Sequence, residues 1–363
     1  MTAALNGICP YFTMFPLTFP QKVLKRRSSS GDVVLDPFAG RGTTLYAARL
    51  LGLEAYGIDS NPVAVAISEA KLANSSSGEI FVAAKGILEA IKAPNEIPTG
   101  EFWQLAFHEE VLDKLCRLRE GLIADCGSDT RRALRAVILG ALHGPRGKHQ
   151  QSYFSNQCPR TYAPKMRYST KYWLERNLLA PRVNVLEIIQ RRAQRFYGDE
   201  KTIGRGKVVA GDSQEEASFI FGEAKATWIL TSPPYYGMRT YIPDQWLRRW
   251  FLGGASKVEY SNDGQLPHHS PKEFSAGLKK VWNNCANAAN PGCRLIIRFG
   301  AINDRKVDAL SLIMESLRDT RWRLLTHRRA GTASYGRRQA NHFVSANRAL
   351  EEHDVWAALV VPE

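Results

Sequence analysis

The chain has 363 residues, of which 44% are hydrophobic and 23% charged, a composition that excludes wholesale disorder and points to about two domains. No apolar run approaches the ~18–20 residues that a bilayer helix needs, and the first residues lack the basic start and apolar core of a secretory signal. Lys and Arg outnumber Asp and Glu by 49 to 35, a net charge of +14, so an acidic or neutral surface is excluded too. The 6 cysteines are scattered, with no CxxC or adjoining HxxxH, so reduced thiols, no metal site and a cytoplasmic location are expected.

Residues 31–73 read as strand, loop, helix, strand, helix. GDVVLDPFAG opens on a turn and a β-branched apolar run before its glycines. TTLYAARLLG has apolar residues at helical spacing, with Gly52 where a C-cap belongs. LEAYGID is a second strand ending in Asp59, and Ser60-Asn61-Pro62 supplies an N-cap with Pro at the first helical position. The low-complexity NSSSGE at 74–79 reads as a boundary. Residues 80–205 carry long helical stretches, FHEEVLDKLCRLREGL, RRALRAVILGALHG and YWLERNLLAPRVNVLEIIQRRAQRF, with a Pro-, Ser-, Asn- and Arg-rich loop at 145–169. Strands return in KVVAGD, ATWILTSPPY, GCRLIIRFG, WRLLTHRRA and VWAALVVP, alternating with helical segments near 273–289 and 305–318. The alternation predicts an α/β sheet of mostly parallel strands built from 1–74 and 206–363, with 75–205 as a largely helical insertion.

The charge is uneven. Arg131 to Arg205 holds 16 basic and 4 acidic residues, a net of +12 against +2 for the rest of the chain. Tyr153, Phe154, Tyr162, Tyr168, Tyr172 and Trp173 are interleaved with these cations. Stacking rings among phosphate-binding cations are what a nucleic-acid surface needs, and Arg146, Lys148, Arg160, Lys165 and Arg167 are the candidate DNA-binding residues. The bland alternative is a solvated basic face.

Two motifs carry chemistry. DPFAGRGTT, Asp36 to Thr44, follows a strand and opens a helix, and its Gly40 and Gly42 let the backbone turn and approach a ligand. No Lys follows Gly42, so a phosphate-cradling P-loop is not supported. Asp59 ends the next strand, where a carboxylate can accept both hydroxyls of a ribose. TSPPYYG, Thr231 to Gly237, ends another strand; its consecutive prolines remove two donors and leave a rigid run of carbonyls beside a ring. Such a segment suits a planar group bearing an amine.

Together these residues resemble the amino-group DNA methyltransferases that use S-adenosylmethionine, over about residues 10–73 and 206–300. FPLTFPQKVLKRRSSSGDVVLDPFAGRGTT resembles their motif X running into motif I, Asp59 their motif II acid, Gly211-Asp212 motif III, and Ser232-Pro233-Pro234-Tyr235 motif IV. Motif I precedes motif IV by 190 positions here (Gly42 to Ser232), whereas many relatives have motif IV first. The resemblance implies a Rossmann-like methyltransferase fold and transfer of a methyl group to the N4 amine of cytosine in double-stranded DNA, Ser at the first motif IV position being typical of cytosine N4 enzymes. Asp36 would hold the methionine amino group and Gly40, Gly42 and Thr43 would form the cofactor loop, with Asp59 on the ribose. Asp212 would lie near the cofactor adenine and Phe38 would pack or contact it. Ser232 and the carbonyl of Pro233 would accept from the target amine, with Pro234 stiffening the segment and Tyr235 stacking on a flipped base. A restriction endonuclease is a compatible partner; adenine N6 methylation, RNA amino-methylation and a DNA-binding regulator are the alternatives.

Weaker signals are assigned to structure. His268-His269 reads as an exposed loop, and Trp246, Trp250 and Phe251 as core or interface on a helix capped by Asp244 or Gln245. Arg328, Arg329, Arg337 and Arg338 lie in a basic segment at 327–343 that is either a target-strand loop or a connection.

Overall fold

The computed structural model describes residues 3–11, 15–144, 151–158, 164–237, 245–259, 266, 270–300, 307–332 and 351–360. The chain divides into two compact units. One comprises Tyr11–Leu72, Thr202–Thr240 and Asn262–Glu363, the other Met1–Pro10, Ala73–Lys201 and Tyr241–Ser261.

The first unit is built on seven strands, β1 (Val33–Asp36), β2 (Glu54–Asp59), β3 (Gly206–Ala210), β4 (Ala226–Thr231), β5 (Ala289–Gly300), β6 (Trp322–Thr332) and β7 (Glu351–Leu359). They lie in the order β3-β2-β1-β4-β5-β7-β6. The first five are parallel, and β7 runs antiparallel between β5 and β6. Alternate side chains of each central strand enter opposite faces, as the pleat requires. Val34, Leu230 and Ile296 pack with α1 (Thr18–Arg27) and α2 (Thr43–Leu50), while Leu35, Ile229, Leu295 and Ile297 pack with α11 (Pro271–Asn287) and α12 (Ala309–Leu317). Burial on both faces is why these strands read as continuous apolar runs. The remaining helix, α3 (Pro62–Leu72), starts as its sequence dictates, with Asn61 Oδ1 accepting from Val63 N at 3.1 Å.

The second unit is helical: α4 (Ser77–Ala90), α5 (Glu101–Ala106), α6 (Glu109–Ala124), α7 (Asp129–Ala141), α8 (Met166–Glu175), α9 (Val185–Tyr197) and α10 (Trp246–Phe251). NSSSGE, read as a boundary, follows directly on the division between the units at Leu72 and Ala73, and it also starts α4, where Ser76 and Glu79 form a reciprocal capping box. The stretch expected as one helix from 172 to 196 is two, α8 and α9, parted around Pro181, which cannot continue a helix. Met1–Pro10 and Tyr241–Ser261, counted with the sheet from sequence, group with the helices. Their apolar content explains it: Trp246 lies 5.0 Å from Phe102, Trp250 lies 4.6 Å from Trp103, and Arg248 donates to the carbonyl of Pro10 at 2.7 Å. Trp246, Trp250 and Phe251 are thus core residues. Gln245 stands at the N-cap without capping; its amide oxygen accepts from Arg248 instead. Asp244, His268, His269, Arg337 and Arg338 lie outside the described residues. Arg328 and Arg329 are exposed on β6, where Arg329 pairs with Glu351 at 2.8 Å. Among the described residues no helix is long and apolar enough to cross a membrane.

Candidate active site

The loops after β3, β2, β1 and β4 stand side by side, because these parallel strands are neighbours in the sheet. In an open α/β sheet the crevice outside such carboxyl ends is where ligands bind.

After β1, the loop from Asp36 turns into α2 at Gly42, which holds φ at 71°, a region glycine tolerates and a β-carbon does not. A β-carbon there would also lie 2.9 Å from Ser68 Oγ. Ser68 is itself committed, its hydroxyl donating to the carbonyl of Gly40 at 2.9 Å, so the loop is backed directly against α3. The amides of Gly40 and Asn61 donate to the two oxygens of Asp59, each at 2.8 Å. Asp59 is half-buried, and each of its oxygens keeps a lone pair after these bonds. Burial pushes its carboxyl up to about 6, against the lowering pull of the Asn61 and Gly40 amides.

Asp36 is only 1% exposed. Its Oδ1 accepts from Thr231 Oγ1 at 2.6 Å and from the Phe38 amide at 3.1 Å. Burial raises it to about 6, opposed by hydroxyl bonds from Thr231 and Thr44 and the Phe38 amide, with the Asp59 charge adding a smaller rise. The carboxyl expected to reach a ligand is therefore turned inward, cross-linking the end of β1 to the end of β4. Thr44 strengthens that link by donating to the carbonyl of Leu230 at 3.2 Å. Thr231 and Thr44 both lie inside the quoted motifs, and sequence reasoning assigned neither a role; a hydroxyl residue ending an apolar strand was the available signal.

Thr43 is buried, and its hydroxyl has no partner among the described residues. Phe38 is half-buried, 6.4 Å edge-on from Trp282. After β3, Asp212 accepts from the amide of Gln214 at 2.9 Å and from its side chain at 3.1 Å. Ser213 donates to the carbonyl of Pro37, tying this turn to the β1 loop.

After β4 come half-buried Ser232, buried Pro233 and half-buried Pro234 and Tyr235. The phenol of Tyr235 donates to Glu352 Oε1 at 2.7 Å. No motif points to Glu352.

In the helical unit the candidates separate. Arg146, Lys148, Arg160 and Tyr162 lie outside the described residues. Lys165 precedes α8 and Arg167 is exposed on its first turn. Tyr168, 55% exposed, stacks on Tyr172 at 6.4 Å and 25°, and the Arg176 guanidinium lies 4.2 Å from the Tyr172 ring centroid. Phe154 and Trp173, expected among the stacking rings, are each 0% exposed, and Trp173 donates to the carbonyl of Gln157 at 2.8 Å. Tyr153 is half-buried with Arg192 5.5 Å over its ring. Beside α8 lies an open cavity of about 740 Å³ whose lining includes Phe102, Trp103, Arg167, Lys171 and Lys257.

The fold is that of S-adenosylmethionine-dependent methyltransferases, an α/β sheet of seven strands whose seventh is inserted antiparallel between the fifth and sixth. Residues 5–70 match the N6/N4 methyltransferase family described as DNA methylase. Two distant relatives are the type II methyltransferase M.MjaII of Methanocaldococcus jannaschii and the type II methyltransferase M.BglI of Bacillus subtilis. The first is 39% identical over 71 residues (20% of this chain, 13% of the relative), the second 32% over 87 (24% of each). The chain thus matches under a third of the length of either. Among solved structures, the rRNA methyltransferase aviRa from Streptomyces viridochromogenes aligns with TM-score 0.36 at 12% identity, covering 99% of this chain and 93% of that one. Magnesium protoporphyrin IX methyltransferase from Synechocystis aligns with TM-score 0.35 at 10% identity, covering 94% and 76%.

The fold and the match over residues 5–70 imply S-adenosylmethionine as cofactor, and three observations fit it. Asp59 has lone pairs to spare for a diol, the Thr43 hydroxyl lacks a partner among the described residues, and Gly40 and Gly42 keep side chains out of the loop.

Proposed function

We propose that this protein methylates the N4 amine of cytosine in double-stranded DNA. The observation that carries the reading is the juxtaposition of Ser232-Pro233-Pro234-Tyr235 with the glycine loop, fixed by the Asp36–Thr231 bond at 2.6 Å. S-adenosylmethionine, when bound, supplies an electrophilic methyl group. Asp59 accepts the ribose hydroxyls, while Gly40, Gly42 and Thr43 contact the methionine end. Asp36 serves from beneath by fixing that loop, and Asp212 and Phe38 flank the adenine. Ser232 and the Pro233 carbonyl accept from the target amine, aiming its lone pair outward, and Tyr235 stacks on the base. Orientation and fixed dipoles do the work, with no strong base needed if the proton leaves after attack. The base must leave the duplex to reach these groups.

On the helical unit, Arg146, Lys148, Arg160, Lys165 and Arg167 hold the DNA backbone. Tyr168, Tyr172 and Arg176 form a ladder along one side of α8, one turn apart, whose outermost ring is open to a base or sugar. Five cations and one acid between Lys165 and Arg182 support an anionic partner there. The test is to incubate DNA with the protein and S-adenosylmethionine, digest it to nucleosides, and identify the modified one by mass. N4-methylcytosine is expected. N6-methyladenine alone would overturn the base assignment, and methylation confined to RNA would overturn the substrate.

A further inference from the structure

Glu352 lies in the polar run Glu351-Glu352-His353-Asp354 at the start of β7, yet its side chain is only 3% exposed. A buried carboxylate requires hydrogen-bond donors, and the phenol of Tyr235 provides one at 2.7 Å. The cross-strand partner of Glu352 on β5 is Gly300. A β-carbon at Gly300 would stand 3.1 Å from Tyr235 Cε2, 3.2 Å from its Cζ and 3.2 Å from Glu352 Cγ. Only a residue without a side chain leaves both groups where they are. Phe299 closes a third side, its ring 5.3 Å from that of Tyr235 and inclined at 70°. Tyr235 is therefore held by its hydroxyl, by one flank and by an aromatic neighbour, and still remains partly open to solvent. The adjacent Tyr236 is different: it is buried against Phe274 at 5.4 Å and serves packing.

We propose that Glu352 and Gly300 are positioning residues for Tyr235, together forming a seat that fixes its ring before the target base arrives. The proposal rests on the reading that Tyr235 stacks on that base. A side chain already immobilised gives up less rotamer freedom on binding, so the seat acts on substrate capture and leaves cofactor binding alone.

The experiment is a double-variant cycle in the full chain, using Glu352→Ala, Tyr235→Phe and the two combined, with Glu352→Gln as rescue. KM for DNA, kcat, cofactor affinity by calorimetry and melting temperature are measured for each. Glu352→Ala and Tyr235→Phe should each raise KM for DNA by about two- to tenfold, the usual range for one newly unrestrained side chain. The combined variant should be no worse than either, because both remove the same bond. Glu352→Gln should restore KM, since its amide oxygen still accepts from the phenol, and cofactor affinity should stay at the wild-type value throughout. Tyr235→Phe removes the bond while keeping the packing, so it decides the matter even if Glu352→Ala fails to fold. Independent, multiplying effects, or an unchanged KM in Tyr235→Phe, would overturn the proposal while leaving methyl transfer standing. A wild-type protein that methylates no DNA would instead overturn the functional reading, and the seat would fall with it.

Discussion

At the strand ends, polar side chains are tied to the backbone of neighbouring loops: Asp59 to two amides, Ser68 to the Gly40 carbonyl, Ser213 to the Pro37 carbonyl. In the helical unit the same kinds of residue divide by exposure. Trp173 is sealed inside while Tyr168, five residues earlier, stands open, and Arg131 is spent on the carbonyls of Gly121 and Asp125 while Arg167 reaches solvent. The first region is specified by bonds that fix position, the second by which side of a helix a residue occupies. A count of cations and rings describes the second region's composition and leaves its working surface undefined.

The sharpest way to break this contrast is on α8 itself. Trp173→Ala should destabilise the protein by about 3–5 kcal/mol, as for other buried aromatics, whereas Tyr168→Ala should leave the melting temperature unchanged and weaken DNA binding by about 1–3 kcal/mol per lost stack. Thermal melts and DNA titrations on both variants check it; equal effects on stability would place Tyr168 in the core. Next in size is Asp59→Ala, which should weaken S-adenosylmethionine by about 10- to 100-fold through loss of charged hydrogen bonds. Because the Asp59 carboxyl titrates at about 6, wild-type affinity should fall as pH drops through 6 and flatten above about 7, while the variant loses that dependence. Calorimetry across pH 5–8 reads both.

A smaller effect is expected from Thr231→Val, about 1–3 kcal/mol of stability for a bond removed from a buried carboxyl. Asp36 is raised from 3.8 to about 6, so the unfolded chain ionises it first. Its contribution to stability is present below pH about 4, is lost as pH rises towards 6, and is constant above. Thr231→Val should carry that loss to higher pH, which denaturant melts at pH 5, 6 and 7 would resolve. The smallest effect is that of Arg167→Ala, which should lower the salt slope of DNA binding by about one unit. An unchanged slope would assign Arg167 to solvent.

What sequence made legible follows the same division. Gly42 and Asp59 were readable because a left-handed turn and a strand-end acid select residue types within a few positions. Ser232 to Tyr235 were readable because two prolines cannot continue a strand. Glu352 was not, since its partner lies 117 positions away and its neighbours are polar. Trp173 reads as a surface ring because periodicity alone does not say which side of a short helix faces inward, and Phe154 because a Pro- and Ser-rich loop carries no sign that one of its rings is buried. The start of α8 was hidden by the lack of a side-chain cap at Lys165. At Ser76 the signal was present and unread: Ser followed three residues later by Glu marks a helix start, however repetitive the serines around it.

The bond from Thr231 to Asp36 spans 195 positions, and this has a consequence for how the protein is made. At roughly 5–20 residues per second of synthesis, on the order of 10–40 s separate the emergence of the glycine loop from that of the hydroxyl that anchors it. Throughout that interval β1 lacks its neighbour β4, while the helices encoded in between are completed and free to pack. The crevice at the strand ends is therefore a late product of translation, closed only after α4 to α9 have emerged, while α10, which groups with them, follows β4. Ribosome-bound chains arrested before and after β4 should differ in protease protection of β1, with protection confined to the longer ones.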